Sequence, residues 1–185
     1  MGNVKATRWL DVQEFIAKTY GSDGVRSVLD SLAPEDQALW RQKIVPVMWL
    51  DYGAYLRYMF AADKVLGKGD YSLIDASARY TARKHFSGIY KFFISLTSPH
   101  FVIKRAAQVW RQYFDVGKME VIEEKDHLSI LQLSEYPDIP LNHEFSHTPF
   151  MEELVRMSNG KNPRGKHPKC MARKDEYCLW EFTWE

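Results

Sequence analysis

The last twenty residues, KHPKCMARKDEYCLWEFTWE, carry the clearest pattern in the chain. From Cys178 apolar and polar positions alternate, with Cys178, Trp180, Phe182 and Trp184 on one side and Tyr177, Leu179, Glu181 and Thr183 on the other. Successive side chains of a strand point to opposite faces, so four apolar groups would share one face of a half-buried strand that the rest of the chain must cover. The polar run Arg173-Lys174-Asp175-Glu176 suits a hairpin turn, and a loop centred on Lys174 would set Cys170 across from Cys178. A slip of one residue would separate them.

Upstream the period is helical. Trp9, Leu10, Val12, Phe15 and Ile16 share a face from Thr7 to Tyr20, and Gly21 stops that helix. Ser22 or Asp23 caps a second, with Val25, Val28, Leu29 and Leu32 inward, and Pro34 opens a third. Asp51 to Leu66 carries a stripe of Tyr52, Tyr55, Leu56, Met59 and Phe60 and is closed by Gly67-Lys68-Gly69-Asp70, with Asp70 placed to cap the next helix. From Tyr71 to about Leu96 the inward positions are Leu73, Ile74, Ala78, Ala82, Phe86, Ile89, Tyr90, Phe93 and Ile94, with Gly88 as a bend or interruption. Ser98 caps a helix that starts at Pro99, turns Val102, Ile103, Ala106, Val109, Trp110, Tyr113 and Phe114 inward, and ends at Gly117.

Beyond Gly117, Met119 to Glu123 and His127 to Leu133 form a hairpin around Glu124-Lys125-Asp126, and Glu135 to Asn142 is loop. Thr148-Pro149 begins another helix that runs to Asn159-Gly160, before the final hairpin. The order predicts an α+β fold, a helical N-terminal half packed on a four-stranded antiparallel sheet with ββαββ order. Residues 1–117 would be the mainly helical part and 118–185 the ββαββ part of a single domain, 1–185.

Composition narrows the function classes. A chain of 185 residues with 45% hydrophobic content can bury one sizeable core. Lys and Arg number 25 against 24 Asp and Glu, without a long run of one sign, which speaks against a nucleic-acid or anionic-lipid footprint. Two cysteines are too few for a disulfide scaffold, and there is no secretion signal and no apolar run near the roughly 18 residues of a membrane span. These features predict a soluble, cytoplasmic protein.

The helix ARYTARKHFSGIYKFF, the segment SPHFVIKRAAQVWRQYFDVGKMEV and the ending HPKCMARKDEYCLWEFTW with its C-x7-C carry a resemblance. Over about Ala76 to Trp184 the chain resembles the bacterial 4-vinyl reductase domain and its relatives, among them the sensory domains of phenol-responsive transcriptional activators. It is also similar to an uncharacterised myxobacterial family of about this length. The resemblance implies the fold shared with small TRAPP subunits and, more distantly, with haem-based nitric oxide sensors. It implies a dimer that binds a small apolar molecule between helices and sheet.

Zinc-binding members of that group add further acidic or cysteine ligands to the C-x7-C pair, and here Cys170 and Cys178 have His167 nearby. A closed zinc site needs four ligands, so His167, Cys170 and Cys178 leave a place to fill. The plain alternative is two small buried hydrophobes facing each other across a hairpin. The tyrosine-serine-arginine signature of the nitric oxide sensors is absent, although His85 or His100 could serve a haem as axial ligand.

His143-Glu144-Phe145-Ser146-His147 spells H-E-x-x-H, which makes a protease only on a continuous helix. With Pro149 two residues on, the sequence places both histidines in the approach to the helix instead. No phosphate-binding loop, nucleophile elbow or placed nucleophile is present, so the chain gives no support for an enzyme. What remains is binding. Trp49, Tyr52, Tyr55, Phe86, Tyr90, Phe93 and Trp110 are the candidates to line an apolar ligand pocket, the alternative being that they only fill the core. The sequence therefore predicts a non-enzymatic domain that binds or senses a hydrophobic small molecule and acts as a homodimer in signalling. The alternatives are an interaction module for a signalling or trafficking partner without a cavity, and a zinc-binding protein.

Overall fold

In the computed structural model, which describes residues 2–185, the helical half is built first. A strand β1 (Asn3–Lys5) leads into α1 (Ala6–Ser31), which breaks at Gly21, where the backbone turns to φ 72° and ψ −176°. The expected stop is therefore real, and the two halves abut across that residue. Pro34 opens α2 (Pro34–Arg41). A second short strand, β2 (Trp49–Asp51), pairs antiparallel with β1. Asp51 then caps α3 (Tyr52–Leu66), its carboxylate accepting from the Ala54 N–H at 2.6 Å.

Gly88 interrupts the long helical segment at φ 59°, giving α4 (Ser72–His85) and α5 (Ile89–Ser95). The side chain of Ile89, expected inward, lies outside the described part of the structure. Ser98 accepts from the Phe101 N–H and Pro99 starts α6 (Pro99–Gln108), followed by a single turn, α7 (Trp110–Tyr113).

The remainder supplies β3 (Lys118–Lys125), β4 (Leu128–Ser134), α8 (Glu144–Met157), β5 (Arg164–Lys169) and β6 (Cys178–Thr183). The strands form one antiparallel sheet in the order β3-β4-β6-β5, the expected α+β arrangement. Cys178, Trp180, Phe182 and Trp184 are all buried, and Leu131 and Leu133 of β4 lie beside them. Helices α6 and α8 cover that face. Burying Trp180 and Phe182 stabilises the sheet–helix contact by on the order of 2–3 kcal/mol each. Lys169 pairs with Leu179, so in continuing register Cys170 comes opposite Cys178, as the turn chemistry suggested.

Helix α8 differs from expectation. It starts at Glu144, and Pro149 lies inside it. Proline in a helix interior costs about 3 kcal/mol through a lost hydrogen bond and a clash with the preceding turn. The added turn buries Ser146, His147 and Pro149 between α4 and the sheet, and that packing outweighs the penalty. His147 is thus on the helix and His143 at its N-cap.

Candidate functional site

Between α4, α5, α6, α8 and the sheet lies a cavity of about 550 Å³, within the usual range for small-molecule sites. Its wall is mostly apolar. Phe86, Tyr90, Phe93 and Trp110 from the candidate set line it, together with Leu131, Leu154, Trp180 and Phe182. Trp49, Tyr52 and Tyr55 lie outside it. Trp49 is 39% exposed on β2 under the Lys5 ammonium, whereas Tyr52 and Tyr55 are buried in the core, Tyr52 edge-on to Phe114.

Of the polar groups of the wall, sequence reasoning singled out His85 and, within the H-E-x-x-H string, His147, but not Arg8. Arg8, in the first turn of α1, is 9% exposed, and its Nε is covered without a hydrogen-bond partner. No Asp or Glu among the described residues lies within ion-pair distance of it. Its guanidinium carbon is 5.5 Å from the Tyr55 and Phe114 ring centres and 5.9 Å from Phe150. Cation–π contacts offer about 0.5–2 kcal/mol each. Burying an ion costs several kcal/mol, which the three rings offset without supplying a negative charge.

His147 is the second such group. Its Nδ1 is 3.3 Å from the His143 carbonyl oxygen and 3.2 Å from the Tyr52 hydroxyl, and its Nε2 is covered and unpartnered. Burial, helped by the Arg8 charge, holds this imidazole well below its ordinary range, so it is neutral at pH 7. The signal for Arg8 was a charge on the apolar face of α1, three and four residues from Asp11 and Val12.

A second constellation sits behind Trp180. His143, His167, Cys170 and Cys178 bring one donor atom each to within 4.8 Å of one another. The His167 ring stacks on Trp180 at 4.2 Å, and both its nitrogens lack hydrogen-bond partners. The Cys178 sulfur is 3.7 Å from His143 Nε2. Burial pushes the Cys178 thiol up and holds His143 down at about 4, so without a cation both groups are neutral. Tetrahedral zinc with bonds of about 2.0–2.3 Å puts its ligand atoms roughly 3.3–3.8 Å apart, so the four donors need to close by about an ångström. The three residues expected from the sequence thus meet a fourth, His143, hidden in the H-E-x-x-H string. That string does not bring His147 or Glu144 into the same donor group as His143. His143 faces the cysteines, His147 lies in the wall of the cavity, and Glu144 binds Arg173 at 3.0 Å.

Neither a protein-family model nor a curated protein sequence matches the chain. Solved structures do. The H-NOX protein from S. oneidensis in its Fe(II)NO ligation state superposes with a TM-score of 0.72 at 11% identity, covering 98% of this chain and 99% of that one. The fold is that of the H-NOX domains. Unliganded Fe(II) H-NOX from K. algicida gives 0.68 at 8% identity, covering 98% and 96%. An oxygen-binding H-NOX domain related to soluble guanylate cyclases gives 0.66 at 12%, covering 98% and 95%. The haem-sensor part of the resemblance thus holds at the level of fold.

Because haem distortion is described for the H-NOX family, the cavity must be tested for haem. A porphyrin needs an axial donor and partners for two carboxylates. His147 Nε2 is covered, and His100 is outside the wall, with Nδ1 2.8 Å from the Ser129 hydroxyl and its ring against Trp184. His85 lines the cavity, and its Nε2 is 2.6 Å from Asp11 Oδ2, a carboxylate–imidazole pair of the kind that orients a metal ligand through the other nitrogen. Arg8 and Arg105 also line it. His85, held by Asp11, and the two arginines, Arg8 and Arg105, are the residues that would hold a haem in this cavity.

Proposed function

We propose that the protein is a non-enzymatic sensory domain that binds a mainly apolar small molecule in the central cavity and acts as a cytoplasmic homodimer in signalling. The observation that carries this reading is the cavity itself, some 550 Å³ of apolar wall with a few inward polar groups. An apolar cleft of this size, open where Tyr90, Phe93 and Phe101 reach solvent, suits a small-molecule occupant. Phe92 of α5 and Leu96 at its C-terminal cap are exposed beside the mouth residues Tyr90 and Phe101 and favour a second copy there. No helix among the described residues is long and apolar enough to cross a membrane.

Haem is the first occupant to test. His85, oriented by Asp11, would ligate it, and Arg8 and Arg105 would meet its carboxylates. Bound haem supplies an iron centre for a diatomic ligand, while the aromatic wall excludes water around it. Titration of the purified chain with haemin should give a shifted Soret band at one equivalent, and His85→Ala should change the band position. An unchanged spectrum in His85→Ala removes that assignment. A mass of bound metal-free ligand instead supports the domain without haem, and a filled, ligand-free interior favours the adaptor reading.

A second reading concerns zinc, and the fourth donor is what favours it. His143, His167, Cys170 and Cys178 form an S2N2 set of the kind that closes a structural site and would tie α8 to the β5–β6 hairpin. Metal analysis should give one zinc per chain, lost in Cys178→Ser. Protein purified without chelator that contains no zinc and takes up no Co(II) leaves the cysteines as packing groups.

A further inference from the structure

We propose that Arg8 anchors an anionic group, so that the occupant of the cavity is an apolar molecule whose carboxylate lies inside the protein against the first turn of α1. The proposal deepens the reading of the cavity as a ligand site and rests on it.

Arg8 is a buried cation in a wall made mostly of rings and aliphatic side chains, whose other polar groups are Thr81, His85, Thr97, His147 and the exposed Arg105. Its neighbours cannot neutralise it. Asp11, the nearest acid along α1, already accepts from Lys84 at 2.7 Å and His85 at 2.6 Å. Glu14, one turn on, accepts from Lys18, Lys84 and Tyr80. The two carboxylates are matched there by two ammonium groups before Arg8 is considered. Tyr55, Phe114 and Phe150 surround the guanidinium and hold its position, yet none brings a negative charge.

A planar guanidinium held in this way matches a carboxylate, which it can bind through two parallel N–H donors. Arg105, exposed to solvent, needs no partner, whereas the buried Arg8 calls for one negative charge, and the apolar wall beyond it calls for a hydrocarbon or aromatic body. Two sources share that chemistry, a long-chain or aromatic monocarboxylic acid and the carboxylate arm of haem. A neutral phenol or alcohol fills the same space but leaves Arg8 unmatched. The empty protein therefore carries a charge that ligand binding, not folding, satisfies.

The test uses the full chain with decanoate, decanol and haemin, followed by tryptophan fluorescence for the first two and the Soret band for the third. Wild type should bind decanoate at least about ten-fold more tightly than decanol, the size of one charge-assisted contact. Arg8→Gln should bring the two within about two-fold, and Arg8→Lys should retain part of the preference. Loss of haemin affinity in Arg8→Gln assigns the carboxylate to haem, while loss for decanoate alone assigns it to a metal-free acid. Empty Arg8→Gln should melt close to wild type, because the lost ring contacts are offset by relief of a buried charge and no counter-ion is stranded. A clearly lower melting temperature makes Arg8 structural and overturns the proposal. Equal binding of decanoate and decanol by wild type overturns the Arg8 assignment and leaves the cavity reading standing. Failure of all three probes to bind overturns both.

Discussion

Glu14 illustrates how single side chains tie the helical half together. It faces α4 from α1 and accepts from Lys18 at 2.6 Å, Lys84 at 2.5 Å and Tyr80 at 2.7 Å. Hydrogen bonding to Lys18, then to Lys84 and Tyr80, holds its carboxyl down at about 2, against 4.5 for the free group. A folded value below the unfolded one means stability that is complete above about pH 4.5 and lost as pH falls towards 2. The site is solvent-exposed and screened, so the effect is below about 1 kcal/mol. Urea titrations at stepped pH should show Glu14→Gln slightly less stable than wild type at pH 7, with the difference gone near pH 2. Sequence could not place this cluster, because its members lie on two helices far apart in the chain. It did place Cys170, Cys178 and His167 near one another, since a hairpin brings them there by register. His143 was hidden, because its role depends on how α8 meets the hairpin. Arg8 was legible in principle as a charge on an apolar helix face.

Gly21 sets the limit of α1 as a straight element. Its φ of 72° with ψ of −176° belongs to a backbone region that is essentially glycine's alone. Nothing lies within 4 Å of a Cβ built there, so an alanine would meet no clash and only the backbone term acts. Gly21→Ala should cost about 1–3 kcal/mol in urea denaturation. A neutral result would mean that the two halves of α1 can merge without a break. Stops of this kind, like the Ser98-Pro99 start of α6, are written in local chemistry and were readable. The start of α8 was not, because the burial of Ser146, His147 and Pro149 against α4 and the sheet overrides the local signal from proline. Strands β1 and β2 were missed for a simpler reason. Three residues each cannot show an alternation.

At the scale of the whole molecule, the alternating strand β6 and the amphipathic helices α6 and α8 specify a layered α+β fold. That fold matches H-NOX structures at identities near one in ten, as a pattern of apolar faces can persist when few residues do. A ligand cannot be inferred from a fold alone. Here the inference rests on the cavity and the groups that face into it. Native mass spectrometry of the chain purified without denaturant tests that claim most directly. The account predicts a population heavier than the bare chain by the mass of one small molecule, which is released on unfolding. Only the bare mass, unchanged after incubation with haemin or decanoate, would contradict it.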